Sequence, residues 1–166
     1  MTADNHNRGN RQEKTVEVAL YVRSLSPPGA CAHQRTVVDR LETLESNGTV
    51  DEYTVEVWGS QLATSDATRS GTGRQIFDRI EQFRSWAKTH GRSIESFFAT
   101  ETVRSKITDE EYTRVVFPTM TLAEYVEGEL RFVSPSNQGE AVTTVADRLD
   151  AIEATVAETP IMEVDP

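Results

Sequence analysis

The stretch Val115–Val133 constrains the fold more than any other part of this chain. Pro118 follows Phe117 and opens a run of strand-forming residues from Thr119 to Val126. Glu127-Gly128 then makes a two-residue turn, and Leu130 to Ser134 return before Pro135. A proline has no N–H to give a ladder, so it is tolerated where a strand begins. Glycine supplies the positive φ that a tight hairpin turn demands. After the polar loop Asn137–Glu140, Thr144 stands three residues before Asp147, the spacing of a capping box. Val145, Leu149, Ile152 and Val156 then form one stripe of a helix. A chain ending in a hairpin and an amphipathic helix needs earlier elements to pack against.

Those elements are legible upstream. Val16, Val18, Leu20 and Val22 alternate with Glu17, Ala19, Tyr21 and Arg23, which predicts a strand. Pro27-Pro28-Gly29 ends it. Val37, Val38, Leu41 and Leu44 share one face of a helix from Gln34 to Ser46, stopped by Asn47-Gly48. Tyr53, Val55 and Val57 mark a second strand. Ile76, Phe77, Ile80, Phe83 and Trp86-Ala87 mark a second helix, Arg74 to His90, with Gly91 beyond it. The sequence predicts loops at 60–73 and 137–140 and an irregular insertion over 93–114, with at most a short strand or helical turns. Thr108-Asp109-Glu110-Glu111 has the look of a helix start. Residues 1–13 hold nothing to bury and read as a disordered leader, 14–157 as a single domain, and 158–166 as a loose tail. There is no internal repeat.

The charge balance bears on setting. Acidic residues number 27 against 17 basic ones, for a net charge of -10, and only Lys14, Lys88 and Lys106 are lysines. Acidic excess, scarce lysine and abundant Thr and Val resemble the proteins of extreme halophiles, haloarchaea above all. A carboxylate-rich surface stays soluble in salt that screens ordinary charges. No apolar run approaches the roughly 18 residues of a membrane span, and the N-terminus has no apolar signal core, so the expected location is cytoplasmic. With Cys31 as the one cysteine, no internal disulfide can form.

The order strand, helix, strand, helix, strand, strand, helix, with proline before the third strand, resembles the thioredoxin-like fold. The matching residues are Phe117-Pro118-Thr119, then Glu127-Gly128-Glu129-Leu130, then the helix from Thr144. The resemblance implies an α/β protein with a mixed four-stranded sheet and helices on both faces. It also implies a cis Phe117–Pro118 peptide, and an active cysteine between the first strand and the first helix, where Cys31 lies. One departure is large. The family's redox motif pairs two cysteines, and here the flanking positions are Pro28 and Gln34. A ferredoxin-like α+β layout, as a dimer, is the alternative if an extra strand falls within 93–114. The chain also resembles small haloarchaeal proteins labelled as helix-turn-helix domains, through Ser-Leu-Ser-Pro-Pro-Gly, Val-Trp-Gly and the Tyr-x-x-Gly-Glu-Leu hairpin. That likeness would make 34–46 a DNA-reading helix. Against it, the segment just before is a strand, where a helix-turn-helix needs a helix.

These readings name the expected site. Cys31 at a helix N-terminus would gain thiolate character from the helix dipole, with His33 and Arg35 nearby. Phe117, Pro118 and Thr119 would line the same place. Arg69-Ser70-Gly71-Thr72-Gly73-Arg74 is a weaker anion-binding loop, to be weighed against a simple helix cap. One sulfur and one imidazole are too few for a metal site. There is no nucleophile elbow and no basic stripe, and the expectation leans against an enzyme. The expected function is a halophilic binding or regulatory module, acting through Cys31 on a protein or thiol partner without dithiol exchange. The alternative is a DNA-binding transcriptional regulator of helix-turn-helix type. No cofactor and no membrane are expected, nucleic acid ranks below a protein partner, and a homodimer is a further expected assembly.

Overall fold

The computed structural model describes residues 15–25, 32–64 and 71–164. The main sheet is built around β1 (Val16–Val22), whose two faces are both apolar beyond Glu17. A strand buried on both sides belongs in the middle of a sheet, and β1 lies there. On one side it pairs in parallel with β2 (Glu52–Val57), Leu20 opposite Val55. On the other it pairs antiparallel with β6 (Met120–Val126), Leu20 opposite Leu122. β7 (Glu129–Ser134) completes the order β2-β1-β6-β7.

Three helices cover this sheet on both faces. α1 (Ala32–Ser46) buries Val37, Leu41 and Leu44 among Val18, Leu20, Val22 and Leu122, joined there by Leu149 of α3 (Val145–Val164). α2 (Gly71–Thr89) lies on the opposite face. Its Ile80, Phe83, Trp86 and Ala87 meet Ala19, Tyr21, Ala123 and Val133. The two side-chain sets of β1 thus feed two cores. Each large apolar group withdrawn from water there contributes about 1.5–3 kcal/mol.

Local chemistry sets the ends. Glu127 and Gly128 have φ of 56° and 79°, the left-handed pair of a type I′ hairpin turn. Glu127 further exchanges backbone and side-chain bonds with Thr15, tying the turn to the start of β1. The Thr144 and Asp147 side chains each accept the other's backbone N–H at 3.0 Å, the reciprocal capping box. At the end of α2, Arg92 N–H reaches the Ala87 carbonyl across Gly91, whose φ is 69°.

Several sequence expectations are revised. Residues 93–114 are not an irregular insertion. β4 (Thr100–Arg104) and β5 (Glu111–Val116) form a hairpin, and β3 (Gln61–Ala63) from the expected 60–73 loop adds to it, giving the order β3-β5-β4. Asp109, at φ 57°, belongs to its turn, and Glu111 to a strand, where a helix start was expected. β8 (Ser136–Gln138) takes up the first half of the expected 137–140 loop, and Gly139-Glu140 remain as the turn into β9 (Ala141–Thr143). α1 and α2 begin earlier than expected, and α3 continues to Val164 through most of the supposed tail. The cis peptide among the described residues is Ser134–Pro135, not Phe117–Pro118. A ferredoxin-like layout splits its strand-helix-strand unit with an intervening strand. Here β1 and β2 are direct neighbours, which overturns that alternative. The leader 1–13 lies outside the described residues.

Candidate functional site

Alternation along β1 and β2 points Glu17, Tyr21, Glu52, Thr54 and Glu56 to the α2 side of the sheet. β2 is the edge strand, and its Glu52, Thr54 and Glu56 are exposed, so they floor an open groove. One cavity of about 260 Å³ is lined by Glu17, Tyr21, Glu52, Glu56, Arg79 and Tyr125, among others. A second, of about 150 Å³, shares Tyr21, Glu56 and Arg79 and continues to Trp58 and Thr72.

Arg79 is the cation at its centre. Its Nη1 donates to the Tyr125 hydroxyl at 2.8 Å and to Gln82 Oε1 at 3.3 Å. Burial alone would lower its pKa, but Tyr21, Tyr125 and Glu56 outweigh that and hold it above the ordinary value. The Tyr21 phenol is pushed up chiefly by burial and then by Tyr125, with which it shares a hydrogen bond. Its ring stacks on Trp58 at 4.5 Å. Trp58 is only 8% exposed, and its indole N–H has no acceptor among the described residues. The groove therefore offers three carboxylates, one engaged guanidinium and an aromatic wall. It offers recognition by charge and hydrogen bonding.

Of the residues singled out from sequence, those described lie in the first turns of α1 and α2 and just before β6. Cys31, Arg69 and Ser70 fall outside the described residues. His33 is exposed in the first turn of α1. Phe117 is fully buried in the α2-side core, against Trp58 at 4.7 Å. Its carbonyl accepts from Arg23 Nε at 3.0 Å and again from Nη2, and its N–H donates to the Ser60 carbonyl. Pro118 is half-buried and Thr119 exposed. Gly71, Thr72, Gly73 and Arg74 form the opening of α2, with Gly73 buried and Thr72 on the groove. Arg23, Tyr21, Arg79 and Tyr125 were not foreseen as site residues. Arg23 ends the first strand in sequence, and the other three read simply as core or surface.

Among the described residues, no group of three or more His, Cys, Asp or Glu is placed to hold a metal ion. Among the same residues, no helix is long and apolar enough to cross a membrane.

α1, the expected reading helix, spends its apolar face on the sheet. Its Arg40 is held by Glu153 at 2.7 and 2.9 Å and by Asp150 at 2.6 Å, both from α3. Outward it shows Arg35 beside Asp39, Glu42 and Glu45. A family model described as a helix-turn-helix domain matches residues 10–157. The chain belongs to that helix-turn-helix family. Neither the curated proteins nor the solved structures gave a match. Within this member of the family, the described residues contain no two helices in succession. α1 is followed by β2 and β3, and α2 by β4 to β9.

Proposed function

We propose that this chain is a binding module of thioredoxin-like build that recognises a protein or thiol partner and performs no dithiol exchange. The observation that carries the reading is the sheet order β2-β1-β6-β7, in which β6 alone runs against its neighbours and helices lie on both faces. That order supports a thioredoxin-like scaffold. The single cysteine, Cys31, leaves such a scaffold without the second sulfur that intramolecular exchange requires. The acidic, lysine-poor composition supports work at high salt. The test is the alkylation rate of Cys31 against pH. A midpoint well below about 8.5 supports an activated thiol, and a midpoint at that value removes the thiol from the proposal.

A second reading, a DNA-binding regulator, is favoured by the family match over residues 10–157. Its reading helix would be α1, with Arg35 as the outward cation. Fluorescence anisotropy with duplex DNA over a salt series tests it. Salt-dependent binding that Arg35→Glu abolishes would establish this reading over the first. The acidic residues Asp39, Glu42 and Glu45 on the same helix weigh against it.

A further inference from the structure

β2 (Glu52–Val57) closes one edge of the main sheet and pairs with β1 alone among the described residues. Its outer row of backbone N–H and carbonyl groups is therefore a template for another strand. Sheets usually blunt such an edge with proline, a bulge or charged side chains, lysine above all. Glu52–Val57 contains neither proline nor lysine and runs in unbroken register, so its guards are the negative charges of Glu52 and Glu56, which repel acidic strands and admit basic ones. Val57 is 52% exposed, although it is a large apolar side chain at this edge.

The two faces of the strand differ in chemistry. Glu52, Thr54 and Glu56 face the groove, beside Glu17. Three carboxylates there meet one guanidinium, and Arg79 is already committed to Tyr125 and Gln82. At the end of the same groove, nine-tenths buried Trp58 holds its N–H without an acceptor. The other face presents Tyr53 and Val55, packed against the α1-side core, and then Val57.

We infer that β2 is a docking edge for an extended basic segment of a partner protein, which adds to the sheet as a further strand. This deepens the binding-module reading and rests on it. Residues of an added strand stand directly opposite those of β2 and alternate between the same two faces. Cationic side chains opposite Glu52 and Glu56 complement the groove, and apolar ones opposite Tyr53, Val55 and Val57 complement the other face. The recognised pattern is cation, apolar, small polar, apolar, cation, apolar. A second copy of this chain fits poorly. Two-fold pairing of β2 with itself about Thr54 sets Glu52 against Glu56 on both sides, and like charges directly opposite destabilise a sheet.

The experiment uses the full chain, in salt that keeps its far-UV spectrum folded, and a labelled peptide of sequence Lys-Val-Thr-Val-Arg-Val. Anisotropy should show saturable binding. Exchanging the two cations for glutamates, or introducing Glu52→Lys with Glu56→Lys, should each weaken it about tenfold, the effect of roughly two opposed charge pairs. Hydrogen exchange should show new protection in β2. Equal binding of the acidic peptide, protection confined to other strands, or a dimer in sedimentation that masks β2 would each overturn the inference. An ordinary Cys31 alkylation midpoint with intact peptide binding would remove the thiol and leave the docking edge. A shifted midpoint without peptide binding would remove the docking edge alone.

Discussion

Arg148 of α3 donates from Nε and Nη2 to the two carboxylate oxygens of Glu124 on β6, at 2.6 and 3.0 Å. The guanidinium also lies 4.1 Å from the Phe132 ring centroid, and Arg92 lies 4.9 Å from that centroid. The pair pins the last helix to the sheet in a place where a carboxylate would otherwise be stranded. The Glu124 side chain is 9% exposed and that of Arg148 29%. Burial raises the Glu124 pKa more than Arg148 lowers it.

Removing one partner should therefore cost more than removing both. Arg148→Met is expected to destabilise by about 2–4 kcal/mol, because it leaves Glu124 buried and uncompensated. Adding Glu124→Leu should recover a large part of that loss. Urea unfolding of the two single variants and the double variant measures the coupling, and simple additivity would contradict it.

Tyr21 gives a prediction in pH. Its folded pKa is raised above the ordinary 10.0, so the neutral phenol is the form that the fold favours. Its contribution is complete below about pH 10 and is lost as pH rises from there toward the folded value. Tyr21→Phe keeps the ring stacked on Trp58 but loses the bond to Tyr125, at about 0.5–1.5 kcal/mol near neutrality. Above pH 10 the variant should lose stability less steeply than the parent. Thermal midpoints from pH 7 to 11 check the crossing trend, and parallel curves would refute it.

Gly128 isolates backbone strain. A Cβ there would meet no heavy atom within 4 Å, yet φ is 79°. Gly128→Ala should cost about 1–2 kcal/mol through the left-handed backbone alone. Denaturant midpoints should fall with an unchanged slope. No loss of stability would mean that the turn adopts another form.

The parts of the fold that show in the sequence are those with one strong period. β1 and the Glu127-Gly128 hairpin appear where expected, and α1, α2 and α3 sit where their stripes fall, within a few residues. The β3-β5-β4 sheet left no such trace. Thr100–Arg104 has one half-buried side chain, Val103, and no apolar alternation, and the sheet reaches the core through single residues, Leu62 and Val115, that make no period. The direct adjacency of β1 and β2 also depends on tertiary pairing.

The same division holds for the candidate sites. Sequence by itself determined the single cysteine, the acidic surface and the strand-helix order, since these need only composition and local periodicity. Only the tertiary structure decided that Tyr21, Glu56, Arg79 and Tyr125 share one groove, for they come from β1, β2, α2 and β6. It also decided that α1 spends its apolar face on the sheet. A periodic stripe says that a helix has a face to bury, but not against what, and the partner surface is assembled from strands far away in the chain.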